Sequence, residues 1–268
     1  MAPNASGAPT ALGAVPATAS ARRWAAILRL PPSGRILLAG SGLTLVILAV
    51  MVLDPERAAF WEILHWDVSS ATAVLAVAAG VRGASGLERT LRVGALLALA
   101  SWFLSNVAWT LAEASGPVTF PSVADGLAVL WLVPAVWIIV ATTHGRTSRA
   151  AELAVYLDDA LAFVATGAVL LTIFGPTAWA TGGVAGLLIV AYPVIFLGAA
   201  ATSVVGVLAT REPIRLQGGL ALGAGVGVMG IAYVTWIIPA MTGVPMSRLV
   251  GTLFSVGPLL VAYGALSW

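Results

Sequence analysis

The sequence predicts an all-α integral membrane protein, a bundle of about eight transmembrane helices with both termini in the cytoplasm. Three observations predict it. Of the 268 residues, 60% are hydrophobic and only 9% are charged. Soluble domains carry roughly 25% charged residues, so most of this surface has to face lipid. The apolar residues gather into runs long enough to cross or nearly cross a bilayer at about 1.5 Å per residue. The basic residues, all of them arginine, recur in every second connection. Transmembrane β-strands are shorter and alternate in polarity, and these runs do not.

Residues 1–35 are expected to form a disordered cytoplasmic tail with a basic flank. Residues 1–21 are rich in Ala, Pro, Ser, Thr and Gly and carry no charge, and Arg22, Arg23, Arg29 and Arg35 follow. Residues 36–268 are expected to form one eight-helix membrane domain, with spans near 36–53, 65–81, 91–112, 126–142, 157–174, 184–209, 216–238 and 248–266. The first span exceeds a signal-peptide core in length. It is followed by Leu53-Asp54-Pro55-Glu56 in place of a small-residue cleavage site, so it is read as retained. Arg82, Arg89 and Arg92 lie between spans two and three, Arg146 and Arg149 between four and five, and Arg211 and Arg215 between six and seven. Only Arg57 and Arg248 fall on the other side, which by the positive-inside rule is the outer one.

Composition also excludes chemistry. There is no cysteine, hence no disulfide, thiolate metal site, iron–sulfur cluster or cysteine nucleophile. There is no lysine, hence no retinal Schiff base. No GxSxG, HExxH or P-loop occurs, and the glycine-rich stretch 218–230 lies inside a span. The chain is therefore read as having no catalytic activity of its own. His65 and His144 are expected at opposite boundaries of a hydrocarbon core about 30 Å thick, too far apart to share a haem or metal. Single-histidine haem ligation through His65 stays open, but no cofactor is called for. The net charge of +2 comes from arginines at membrane boundaries and calls for no nucleic-acid partner.

Two sets of residues suggest packing. Gly219, Gly223 and Gly227 in span seven, and Gly198, Thr202 and Gly206 in span six, recur every four residues, the spacing that lets helix backbones approach. Their alternative role is a hinge. Pro134, Pro193, Pro239 and Pro258 lie in or at the ends of spans, where proline kinks a helix and frees a carbonyl. A possible 4+4 pseudo-repeat is hinted at by the equal spacing of Trp109 to Gly116 and Trp236 to Gly243.

Polar groups inside a membrane are costly and mark candidate sites. Trp102, Asn106, Trp109 and Glu113 fall on one face of span three. His65, Trp66 and Asp67 of span two, Asp125 and Trp131 of span four, Tyr192 of span six, and Tyr233 and Trp236 of span seven lie on the same outer half. Convergence of these faces would make an outward-opening, aromatic-lined ligand pocket. An aromatic belt with interhelical hydrogen bonds is the alternative, and for Asn106 an interhelical bond. Ser122 and Asp125 have the spacing of a capping box. Asp158 and Asp159 could pair with Arg92, Arg146 or Arg149.

The ordered series Ser105-Asn106-Val107-Ala108-Trp109, Gly116 with Phe120-Pro121-Ser122-Val123-Ala124-Asp125, Tyr156-Leu157-Asp158-Asp159-Ala160-Leu161, Ala191-Tyr192-Pro193 and the close from Val256 to Trp268 through Ala265-Leu266-Ser267 carries a resemblance. It resembles the multi-span N-terminal membrane regions of bacterial GGDEF and EAL cyclic-di-GMP signalling proteins and of some histidine kinases, over roughly 36–268. Three acidic positions of that pattern are neutral here: Phe196 after Tyr192-Pro193, Tyr233 in span seven, and Asn106 after Ser105 in span three. The resemblance implies a membrane sensor or anchor module in a bacterial inner membrane, a homodimer, passing an outer or membrane-borne signal to a cytoplasmic output domain, fused or separate. A small-molecule transporter is the alternative. It is disfavoured by the lack of ionisable residues deep in the spans. An integral enzyme acting on lipid would need Glu113, Asp125, His65 and Asp67 to meet.

Overall fold

The computed structural model describes residues 30–116, 120–144, 148–209, 213–242 and 247–268. Residues 1–29 of the expected tail, Arg146 and Arg211 lie outside the described residues, as do the side chains of Arg215 and Pro239. Among the described residues there are nine α-helices and no strand. They are α1 (Pro32–Leu53), α2 (Ala58–Val81), α3 (Gly86–Ser115), α4 (Val123–Val129), α5 (Leu132–Thr143), α6 (Arg149–Thr181), α7 (Gly183–Ala209), α8 (Pro213–Thr242) and α9 (Arg248–Leu266).

Six helices are long and apolar enough to cross a membrane, with α4–α5 and α9 forming shorter apolar segments. The outside of the bundle is apolar, as a lipid-facing surface requires. Leu153, Leu157, Leu161, Val164, Ile173 and Trp179 of α6, for example, are exposed. The protein is thus a multi-pass membrane protein by length and composition of its helices.

Several boundaries differ from expectation. The tail was expected to reach residue 35, but α1 starts at Pro32, where a fixed φ favours the first helical turn, and Ser33 is already buried. The fourth span is two pieces, broken between Val129 and Leu132, where Ala128 and Gly126 accept the backbone N–H of Leu130. The fifth is far longer than expected, 33 residues, and runs through Pro176 to Thr181. It turns into α7 at Gly182 and Gly183, whose φ values of 69° and 57° favour glycine.

The helix that closes the bundle is α9. It packs on α8 and α2 and also reaches α1 and α3, while α6 packs mainly on α7 and meets α8 where Leu170 and Phe174 cluster with Ile237. Glycine permits the α8–α9 contact. A Cβ on Gly225 would sit 2.7 Å from the Gly257 carbonyl oxygen and from the Val261 nitrogen, and one on Gly264 would sit 2.7 Å from the Gly218 oxygen. These are backbone atoms, so nothing flexible can give way. The expected stripe serves a different neighbour: Gly223 lies against Ser203 and Gly227 against Ala200, both on α7. Gly219 is buried, Gly198 is crowded by the Phe163 ring of α6, and the packing of Gly206 lies outside what is described. On α8 the close approach to α9 is therefore made by the glycines interleaved with the stripe.

Arg92 ties down the far end of α9. Its guanidinium donates to the carbonyls of Gly80 (2.8 Å), Ala265 (3.3 Å) and Leu266 (3.3 Å) and pairs with Glu88 at 2.5 Å. Carbonyls at a helix C-terminus lack intrahelical donors, and the Arg92 fork supplies them. The expected pairing of Asp158 or Asp159 with Arg92 is absent, because Arg92 is engaged here. No ion pair of either with Arg149 occurs among the described residues.

Gly225→Val should force α8 and α9 apart and lower stability by about 1–3 kcal/mol, the usual range for overpacking. Gly42→Ala, where a Cβ meets nothing within 4 Å, should leave it unchanged or slightly raised. Thermal unfolding in detergent would read both.

Candidate functional site

At the bundle end that holds the α1–α2, α3–α4 and α8–α9 connections, six helices surround one cavity of about 80 Å³. By the arginine distribution this is the expected outer end. The lining comes from Trp66 of α2, Trp102, Ser105, Asn106 and Trp109 of α3, Ala124, Asp125 and Ala128 of α4, Tyr192 of α7, Tyr233 and Trp236 of α8, and Phe254 of α9.

Helical periodicity positions the α3 wall, since Trp102, Asn106 and Trp109 recur at one and two turns. Ser101 and Ser105 then fix α4 against that wall. Ser101 donates to the Leu127 carbonyl, and Ser105 to that of Ala124 at 2.8 Å. The small Ala124 and Ala128 leave the space that the aromatic rings border. Pro193 follows Tyr192 inside α7, and Trp66 is held by its indole N–H on the Gly251 carbonyl at 2.8 Å.

Asp125 is buried, 6% exposed, and its two oxygens do different work. Oδ2 accepts the Ser122 backbone N–H at 2.5 Å and the Ser122 hydroxyl at 2.9 Å. This is the capping box that the spacing predicts. Oδ1 accepts the Tyr192 hydroxyl at 2.6 Å, across to a different helix. A carboxylate has about four acceptor sites, so one remains on Oδ1. No basic side chain pairs with Asp125 among the described residues.

The rings interlock. Tyr192 and Tyr233 stack at 4.5 Å, and Tyr233 stacks on Phe196 at 5.0 Å. Trp102 stacks on Phe254 at 5.7 Å. Nearer the loops the rings meet as walls at a corner: Trp236 is at 80° to Trp109 and at 90° to Tyr233, and Trp66 is at 80° to Phe254. The indole N–H of Trp102, a residue 3% exposed, has no partner. The three neutral positions noted in the sequence, Asn106, Phe196 and Tyr233, gather around Trp102: Phe196 and Tyr233 each lie 5.9 Å from its ring, and Asn106 is one turn along α3.

Of the residues proposed from sequence, Trp102, Asn106, Trp109, Asp125, Tyr192, Tyr233 and Trp236 come together on this cavity, and Glu113 and Trp131 do not. Glu113 is exposed near the end of α3. Trp131 lies in the break between α4 and α5, where its ring turns onto Phe196 at 4.9 Å, away from the cavity. Asn106 also makes the interhelical bond, donating to Ser70 Oγ at 3.3 Å. His65 and Asp67 stand outside the lining. His65 is fully buried against Ser255, with Nδ1 2.7 Å from the hydroxyl, and Asp67 accepts Thr110 at 3.3 Å. The Ser255 oxygen also lies 3.0 Å from the His65 carbonyl, and Nε2 of the ring has no partner. Phe254 was missed, although Val250, Phe254, Val261 and Ala265 recur at helical spacing and face inward.

Among the described residues no group of three His, Asp or Glu could hold a metal ion. The chain matches no protein-family model, and no curated protein or solved structure is significantly similar to it.

Tyr192→Phe removes the Oδ1 bond and leaves the cap. Hydrogen bonds to charged groups contribute about 1.5–3 kcal/mol. The substitution should destabilise by about that amount in thermal unfolding, whereas Asp125→Asn, whose single carbonyl oxygen can keep the cap while its amide NH2 meets the Tyr192 oxygen, should cost less than Asp125→Ala.

Proposed function

We propose that this chain is the sensor module of a bacterial inner-membrane signalling protein. Its outer-facing cavity takes up a small ligand, and α9 carries the consequence to a cytoplasmic output domain. The carrying observation is the path of α9. It contributes Phe254 to the cavity and ends, about 18 Å further along its axis, at carbonyls gripped by Arg92. Along the seam Gly225 and Gly264 bring backbone against backbone and Met229 sits against Gly257, so a displacement at Phe254 is carried along α9 as one body. A ligand that favours one position of Phe254 would bias the position of Leu266, and the coupling equals its differential affinity for the two arrangements.

On this reading the α4–α5 pair and α9 also cross the membrane, giving eight spans, and both termini are cytoplasmic. The chain itself performs no chemistry, and two copies bring their output domains together. The ordered motifs from Ser105 to Trp268 support the same reading.

Two measurements test it. Green fluorescent protein fused after Trp268 should fluoresce, and alkaline phosphatase fused there should be inactive. The reverse pattern overturns the topology. The absence of cysteine lets Ser267→Cys carry a single environment-sensitive dye. Tyr233→Leu in the cavity should shift the emission of that dye, and adding Arg92→Ala should abolish the shift. A dye indifferent to the cavity substitution overturns the relay.

A further inference from the structure

The geometry points to a small ammonium group, bare or methylated, as the ligand chemistry of the cavity. This rests on the reading of the cavity as the sensor's ligand site. The argument joins charge, walls and size. Asp125 places a carboxylate in the lining with no cationic partner among the described residues and with one acceptor position on Oδ1 unused. Its three donors, two from Ser122 and the Tyr192 hydroxyl, all suit an ionised carboxylate. A buried negative charge is relieved by a cation, and the described residues supply none.

The walls suit the same guest. Trp66, Trp102, Trp109, Tyr233, Trp236 and Phe254 form a cage in which Trp109 and Tyr233 each stand nearly perpendicular to Trp236. Rings at a corner present more than one π-face to a common point, the arrangement that attracts a cation. An anion would meet Asp125 and the negative faces of the rings, and among the described lining residues only neutral donors such as the Trp102 and Asn106 N–H groups, with no charged side chain, to offset them. A purely apolar guest would leave the carboxylate uncompensated.

Size sets the limit. An apolar cavity of about 150 Å³ admits benzene, so 80 Å³ admits a group of only a few heavy atoms. Trp66, Trp109 and Trp236 are only half-buried, so a tail on the ammonium group can leave past them. A free amine and the head group of a lipid both fit that description.

The test is saturation-transfer NMR of tetramethylammonium on the full chain in maltoside detergent, with 3,3-dimethyl-1-butanol as a neutral guest of similar shape. Tetramethylammonium should bind saturably and at least about tenfold more tightly than the alcohol. Asp125→Asn, which keeps the cap, and Trp236→Leu should each weaken it about tenfold. Trp179→Phe, at an exposed ring on α6, should not. Equal binding of the alcohol, insensitivity to Asp125→Asn, or no saturable binding of the cation overturns the proposal. In nanodiscs, weaker binding with phosphatidylcholine than with phosphatidylglycerol assigns the site to a lipid head group. Equal binding in both assigns it to a free amine. The dye on Ser267→Cys separates the two readings. Binding without a change in emission keeps the ligand class and sinks the relay. A dye that answers Tyr233→Leu in a protein that binds no cation does the opposite.

Discussion

The structure depends on how closely α9 lies against α8. In lipid, apolar side chains gain little from leaving one hydrocarbon for another, so helices associate through contact itself. Glycine on both partners brings carbonyl oxygens and amide nitrogens within the distance a methyl group would occupy. That approach draws the axis of α9 inward. It places Phe254 beside Trp102 and brings the Ala265 and Leu266 carbonyls to the Arg92 fork. A wider seam would empty the cavity wall and undo the grip at once.

Asp125 shows how one side chain reconciles a structural and a chemical role. Its outer oxygen starts α4, a helix of only 7 residues with little stability of its own. Its other oxygen ties that short helix to α7 through Tyr192. The same bond holds Tyr192 flat against Tyr233 and so aligns the column of rings down to Phe196 and Trp131. The cap and the pocket, weighed as alternatives from the sequence, coexist because a carboxylate has two ends.

Much of this was legible in the sequence because each wall obeys a local rule. The period of 3.6 residues put Trp102, Asn106 and Trp109 on one face, and the Ser122–Asp125 spacing gave the cap. What the sequence concealed was relational. Glu113 shares the periodicity of the α3 face, yet it lies past the point where neighbouring helices cover that face. Trp131 lies off the cavity because it falls in the break at Leu130, and hydropathy does not register a break in an apolar run. Of the glycines on α8, spacing singled out Gly219, Gly223 and Gly227, while the partners that make Gly218 and Gly225 the crowded pair sit on α9, far along the chain. Arg92 was counted as a topological marker. Its second task at the α9 terminus depends on a contact between residues 173 and 174 positions apart.

The central placement of α9 also bears on the order of assembly. It is the latest of the nine helices to leave the ribosome, yet it is the one on which α1, α2, α3 and α8 converge. Until it arrives, His65 of α2 lacks its Ser255 partner, and Gly218 and Gly225 of α8 face an empty line. The earlier helices already pack on one another, α1 on α2, α2 on α3, and α7 on both α6 and α8, so what waits for α9 is the seam it fills. The packing of these faces is completed only when α9 takes its place between them.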